Sequence, residues 1–294
     1  MILLAPAKVN LTLQITGRDR KDGYHFIKSV FDPVSLYDVI EISVSKKTGI
    51  KVIDVNKKLK VKQKDNMVYK AAKMMLEEAG KVKNKRMRMG IRIRVYKYIP
   101  HGAGLGGGSS DAAAVITGMN RLFKLKIPAG KMEKIGFQLG SDVPFFIRCS
   151  PAVVGGKGEK IRRFEAKKTL WYVIACPEIK VNTADAYREF DKGPALTRGK
   201  PYNNLLVYYL KGKKKFDNNK KILYNSFSGL VFKRHVKIKK IKEVLENCGA
   251  ENVSLSGSGS AVFAVFETKK QALRVFKRAR GKLKKEFMCM AHSV

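Results

Sequence analysis

The sequence predicts an α+β fold in two lobes, and three observations carry that expectation. Runs in which apolar and polar residues alternate, the period of a strand, are interleaved with runs in which apolar residues recur at helical spacing, and no internal repeat is visible. At 294 residues and 45% hydrophobic, the chain can bury one large core or two smaller ones. Two lobes are the better expectation, dividing into 1–150 and 151–294. Third, a glycine-rich stretch at 100–114 lies directly between a strand-like and a helix-like run.

The elements follow in order. Ile2, Leu3 and Leu4, then Val9, Leu11, Leu13 and Ile15 in alternation, read as strands, and another is expected at 39–44. Asn66 can cap a helix in which Val68, Ala71, Ala72, Met75, Leu76 and Ala79 form one apolar stripe and which Gly80 ends. Ile91, Ile93 and Val95 alternate with Arg92, Arg94 and Lys97 as a half-buried strand would. Ala112, Ala113, Val115, Ile116, Met119 and Leu122 then make a helix that starts near Ser109 or Ser110. A helix over 129–139 leads into the turn Gly140-Ser141-Asp142. Past residue 150, strands at 171–176 and 261–266 alternate with helices at 238–247 and 269–280, and the lysine-rich 211–221 reads as an exposed loop.

Composition narrows the class. No run of about 18 apolar residues occurs, and the N-terminus runs straight into Pro6 and Lys8 without a signal-peptide core, so a soluble, cytoplasmic protein is expected. Cys149, Cys176, Cys248 and Cys289 have neither metal-ligand spacing nor a disulfide-like framework, and read as ordinary thiols. The net charge of +37, from 61 Lys and Arg against 24 Asp and Glu, would suit a nucleic-acid binder. The lysines are dispersed, however, and lack the interleaved aromatics that stack bases, so a solvated basic surface that attracts anionic nucleotides is the reading, with no specific nucleic-acid partner and no membrane. A monomer or weak homodimer is expected.

The loop itself predicts an anion site. Near a helix start the backbone N–H groups lack intrahelical partners, the macrodipole adds partial positive charge, and glycine lets an anion approach the main chain. Gly102, Gly104 and Gly107 satisfy G-x-G-x-x-G, but Lys124 and Lys126 stand where a dinucleotide site needs a ribose-binding acid. The P-loop ending Gly-Lys-Ser/Thr is replaced by Gly108-Ser109-Ser110, and the His-Arg-Asp and Asp-Phe-Gly tripeptides of protein kinases do not occur.

Pro100, Gly104-Leu105-Gly106, Ser109-Ser110 and Ala112-Ala113 resemble the second motif of the GHMP small-molecule kinases. The extra Gly107-Gly108 and Asp111 resemble one branch, which phosphorylates the 2-hydroxyl of a diphosphocytidyl methylerythritol in non-mevalonate isoprenoid synthesis. Ala5-Pro6-Ala7-Lys8-Val9-Asn10-Leu11, Asp22-Gly23-Tyr24-His25, Gly140-Ser141-Asp142-Val143-Pro144 and Ser256-Gly257-Ser258-Gly259-Ser260 resemble its other blocks, in the same order and across nearly the whole chain. A homoserine or mevalonate type kinase of the same superfamily is the alternative. A basic nucleic-acid binder on an S5-like fold is the different class.

The resemblance implies a ribosomal-S5-domain-2-like first lobe, a ferredoxin-like second lobe and an active site between them. It also implies transfer of a phosphoryl group from ATP to an alcohol, which is a poor nucleophile and needs a base or strong positioning. Asp142 is the implied base and Lys8, costly to bury without an anionic partner, the implied cation beside it. Pro100, Gly102, Ala103, Gly104, Leu105, Gly106, Gly107 and Gly108 would wrap the ATP phosphates, with Ser109 and Ser110 adding hydroxyls. With no dense carboxylate cluster, Mg²⁺ would be held mainly by phosphates and water, and no protein metal ligand is assigned; Ser110, Asp111 and Asp142 are weak candidates. Tyr24 and Tyr187 would sandwich the cytosine while His25 reads its edge; Asn10 would lie near the methylerythritol end, and the 256–258 loop, Ser256, Gly257 and Ser258, would close on the phosphates or the acceptor. Asn203-Asn204-Leu205 and Asn225-Ser226-Phe227-Ser228 lack carboxylates usual in the family, so no catalytic duty falls to them.

Overall fold

A computed structural model describes residues 1–57, 62–81, 90–193, 202–213 and 222–294. The chain divides into two compact units, one of Met1–Ala7, Leu36–His101 and Gly106–Cys149, the other of Lys8–Ser35, Gly102–Leu105 and Ser150–Val294. Two long strands, β1 (Ile2–Arg18) and β2 (His25–Ser45), contribute to both.

In the first unit, the later part of β2 pairs antiparallel with β4 (Gly90–Tyr96), with Ile40 opposite Val95 and Ile42 opposite Ile93, and β3 (Ile50–Asp54) pairs parallel with β4. Helices α1 (Met67–Lys81), α2 (Gly107–Leu122), α3 (Ala129–Phe137) and α4 (Val143–Arg148) complete it, α2 packing on α1, α3 and α4. Ile91, Ile93 and Val95 are buried, as are Val68, Ala71, Ala72 and Met75 of α1 and Ala112, Ala113, Val115, Ile116 and Met119 of α2. Gly118 lets α2 lie close to the strands: a Cβ there would stand 2.4 Å from Leu3 Cδ1 and 2.8 Å from Ile42 Cδ1.

Two expectations need correction here, and a third holds. Asn66 does accept from the Val68 N–H at 2.9 Å, but α1 runs past Gly80 to Lys81. One glycine costs a helix only about 1 kcal/mol, too little to end it while Met75 and Ala79 remain packed. Helix α2 starts at Gly107 after a left-handed Gly106, so Ser109 and Ser110 lie near its start, as expected. Lys97 is in phase with Ile91, Ile93 and Val95, not with the arginines, and is buried on their side at 2% exposure.

In the second unit, the earlier part of β2 pairs antiparallel with β5 (Ala152–Gly156), which forms a hairpin with β6 (Lys160–Arg163), and the short β8 (Tyr224–Asn225) pairs parallel with β1 at Thr12 and Leu13. A separate four-stranded antiparallel sheet has the order β11 (Phe287–His292), β7 (Trp171–Cys176), β10 (Val262–Phe266), β9 (Val253–Leu255). Its core joins Val173, Ala175, Val262 and Ala264 to Ile238, Ile241 and Leu245 of α8 (Val236–Asn247) and Ala272, Val275 and Ala279 of α9 (Lys269–Lys282). Thr268 and Gln271 form a reciprocal capping box at the start of α9. The remaining helices are α5 (Thr183–Asp191), α6 (Tyr202–Leu210) and α7 (Ser228–Arg234).

The four cysteines are free and buried or half-buried. Among the described residues, no helix is long and apolar enough to cross a membrane. Most of the expected lysine-rich loop, residues 214–221, lies outside the described residues, whereas Asn203-Asn204-Leu205 falls within α6.

Candidate active site

Glycine conformation shapes the loop that follows Pro100. Gly102, Gly104 and Gly106 take φ of +68°, +77° and +72°, and alternating left-handed residues create a concavity of backbone N–H groups suited to anions. Gly104 is doubly constrained, since a Cβ would also stand 2.0 Å from the Ser256 carbonyl oxygen. The carbonyls of the loop are turned inward and used: Leu105 accepts from the Lys8 N–H at 2.9 Å, Ala103 from the Ala261 N–H at 3.0 Å, and Gly104 from Ser256 Oγ at 2.8 Å. Ala103 and Leu105 are buried, so the loop is anchored by its side chains as well.

In the first unit, Gly107, Gly108 and Ser109 form the first turn of α2, whose N–H groups have no intrahelical carbonyl. Ser110 follows; its N–H bonds the Gly106 carbonyl at 2.9 Å, while its Oγ is buried without a hydrogen-bond partner. The turn that carries Asp142 comes close, because a Cβ on Gly140 would stand 4.0 Å from Ser109 Oγ. Asp142 is half-buried and occupies the N-cap position of α4, yet its carboxylate makes no capping bond to that helix. Asp111 instead points at Lys97, with Oδ2 2.6 Å from Nζ, which argues against its being a metal ligand. Among the described residues no group of three or more His, Cys, Asp or Glu could hold a metal ion.

In the second unit, Lys8 is buried at 3% exposure; its ammonium donates to Asn10 Oδ1 at 2.5 Å and stands 4.5 Å from the centre of the Phe31 ring. Asn10 Nδ2 donates to Ser29 Oγ at 3.0 Å, and Ser29 in turn bonds the Thr12 carbonyl. The Asn10 N–H reaches Ser256 Oγ at 3.3 Å. One network thus joins Lys8, Asn10, Ser256 and Gly104, and with them the sequence blocks at 5–11, 100–113 and 256–260. The loop between β9 and β10 is buried at Ser256, Ser258 and Ser260, unlike a flexible linker, and Ser258 Oγ lies 3.0 Å from Thr183 Oγ1.

The ring stacked on Tyr187 is that of His25, with centroids 4.5 Å apart at 20°. Phe227 meets Tyr187 edge-on at 4.9 Å. His25 Nε2 lies 2.6 Å from Asp191 Oδ1, and Arg18 reaches the other oxygen of Asp191 at 3.2 Å. Tyr24 is 65% exposed, with the Lys157 ammonium 5.8 Å from its ring centre. Lys157 also pairs with Asp19 at 2.7 Å and Asp22 at 2.5 Å, so the Asp22-Gly23 turn is pinned in front of Tyr24.

Several participants escaped the sequence reading. Asn225, given no duty, donates from Nδ2 to the carbonyls of Leu255 and Gly257 at 2.9 and 2.8 Å and so holds the serine-glycine loop. Asp191 has no motif to announce it. Lys97 could have been found, because its parity with Ile91 puts a lysine on an apolar face, where burial demands a counter-charge; Asp38 and Asp111 supply it.

Residues 66–150 match the family model for the GHMP kinases N terminal domain, and residues 213–285 that for GHMP kinases C terminal. The chain is 38% identical over 270 residues, 92% of its length and 91% of the relative's, to a 4-diphosphocytidyl-2-C-methyl-D-erythritol kinase of Geobacter sp. (strain M21). Among solved structures, a 4-(cytidine 5'-diphospho)-2C-methyl-D-erythritol kinase superposes with a TM-score of 0.80 at 30% identity, covering all of both chains. Homoserine kinase from Cytophaga hutchinsonii shares the fold, with a TM-score of 0.76 at 18% identity over all of this chain and 94% of that one.

Proposed function

The chain belongs to the GHMP kinases, and from that premise we propose that it transfers the γ-phosphoryl group of ATP to the 2-hydroxyl of 4-diphosphocytidyl-2-C-methyl-D-erythritol. The observation that carries the choice of acceptor is the relatives' name at 38% identity across nine-tenths of both chains. The site residues support it. A two-lobed α+β architecture is in place, and we read 1–150 as an S5-like lobe and 151–294 as a ferredoxin-like lobe. The sheet order β11-β7-β10-β9 with α8 and α9 packed on it supports the second assignment.

In this reading the N–H groups of Gly102 to Ser109 cradle the triphosphate, and Ser109 and Ser110 add hydroxyls. The orphaned, buried Ser110 Oγ fits a place beside a magnesium-bound phosphate, where the cation neutralises phosphate charge. Asp142 takes the proton from the acceptor hydroxyl as that oxygen bonds to the γ-phosphorus. The bond from the γ-phosphorus to the bridging oxygen breaks in the same displacement, and ADP departs with the electron pair. Lys8, itself buried and held by Asn10, places positive charge on the transferring group. Tyr187, with His25 already stacked on it, and the exposed Tyr24 present aromatic faces to the cytosine, while Asn10, Ser256, Gly257 and Ser258 line the path of the diphosphate and polyol. The reaction implies the cytoplasm, where ATP is made available.

Incubation of the purified chain with ATP, Mg²⁺ and the diphosphocytidyl alcohol, followed by mass spectrometry, tests the reading: one phosphoryl group is gained per acceptor and ADP appears in equal amount. Asp142→Ala lowers kcat by about 10²–10⁴ and leaves ATP binding intact. Turnover of that variant at the wild-type rate removes Asp142 as the base.

A further inference from the structure

Three charges are buried together in the first unit: Lys97 at 2% exposure, Asp38 at 0% and Asp111 at 2%. The Lys97 ammonium donates to Asp111 Oδ2 at 2.6 Å and to Asp38 Oδ2. The other oxygen of Asp38 accepts the N–H groups of Tyr98 at 2.6 Å and Ile99 at 2.9 Å. Asp38 therefore holds the backbone that leaves β4 for Pro100, Asp111 belongs to the start of α2, and Lys97 ties one to the other. The ammonium also lies against the first residue of α2, since a Cβ on Gly107 would stand 3.3 Å from Nζ.

Stability alone does not account for this cluster. Taking two carboxyl groups and an ammonium out of water is costly, and replacing such buried ionic groups with well-packed apolar residues is often neutral or stabilising. Burial pushes the Asp111 carboxyl up to about 7 against the pull of Lys97, and Asp111 Oδ1 has no hydrogen-bond partner. What the cluster does is join the two ends of the glycine loop, from Lys97 to Asp111, the residue after Ser110, whose hydroxyl is buried and unpartnered.

We infer that Lys97, Asp38 and Asp111 are positioning residues for the nucleotide, locking the exit of β4 to the first turn of α2 and so setting the spacing of the groups that receive the triphosphate. The inference rests on the functional reading above. None of the three is a catalytic residue; they act through the loop. Because Lys97 links Asp38 to Asp111, their effects on nucleotide affinity are coupled.

Calorimetric binding of a non-hydrolysable ATP analogue to the wild type, Asp111→Asn, Asp38→Asn and the double variant tests this, with thermal melts in parallel. Each isosteric single change weakens the analogue by about tenfold, and the double variant is no weaker than the worse single, as expected for residues in one network. The KM for the acceptor stays unchanged. Unaltered affinity in the folded variants, independent losses that multiply, or failure of both single variants to fold assigns the cluster to stability and overturns the inference. A wild-type chain that does not bind the analogue overturns the functional reading itself.

Discussion

At the scale of residues, Gly104 shows how little freedom the loop has. A methyl group there meets the Ser256 carbonyl and must adopt φ near +77°, a conformation costly for any residue with a Cβ. Gly104→Ala is therefore expected to raise the KM for ATP and lower kcat together in steady-state kinetics, while an unchanged enzyme would show that the loop can shift freely. Asp32 gives a prediction about pH. It is buried, accepts from the Tyr172 hydroxyl at 2.5 Å and from Ser293 Oγ at 2.7 Å, and burial pushes it up to about 6 in spite of those bonds. The folded chain thus binds a proton that the unfolded chain, with an ordinary value of about 3.9, has released. The associated stability is fully present below that lower value and is lost as pH rises through about 6. Asp32→Asn removes this slope: denaturant titrations from acid to neutral pH show the variant gaining on the wild type as pH rises, and parallel curves would contradict the assignment. Lys8 and Asp142 were legible as residues because their motifs mark them. Stacking of His25 on Tyr187 was not, because it depends on where α5 meets β2, which no local pattern records.

Among elements, periodic ones were the most legible. The expected strand at 171–176 is β7 to the residue, and the expected helices at 238–247 and 269–280 lie inside α8 and α9. Boundaries slipped where the deciding force is tertiary. Packing carries α1 past Gly80. The two-residue strand β8 carries no period at all, and its value lies in one side chain. Asn225 spans from β8 to the β9–β10 loop through two carbonyls that would otherwise be left without it. Asn225→Ala is expected to cost about 1–3 kcal/mol, the range for stranding buried polar groups. The loss should appear in equilibrium unfolding together with a raised KM for the acceptor. A stability loss with wild-type kinetics would mean that the loop keeps its shape without this tether.

For the whole molecule, the net charge of +37 is the property that sequence states outright and structure does little to soften. Helix α9 has no acidic residue in its first turn and carries Lys269, Lys270, Arg274, Lys277, Arg278, Arg280 and Lys282. Self-repulsion of this size opposes compaction and is screened by salt, whose Debye length falls from about 10 Å at 0.1 M to about 3 Å at 1 M. The melting temperature is accordingly expected to rise with sodium chloride over that range while affinity for ATP declines; a melting temperature that is flat or falls would show that the charge is compensated locally. The α+β class and the ordered motif blocks were readable because each rests on local chemistry. The hydrogen bonds that unite Lys8, Asn10, Gly104 and Ser256 were not, since they join residues up to 246 positions apart. The central claim concerns the acceptor, and a coupled assay of ATP consumption reaches it most directly, with 4-diphosphocytidyl-2-C-methyl-D-erythritol, mevalonate and homoserine offered separately. Turnover with the first and none above background with the other two is the predicted result; no turnover with the first, beside clear turnover with mevalonate or homoserine, would contradict it.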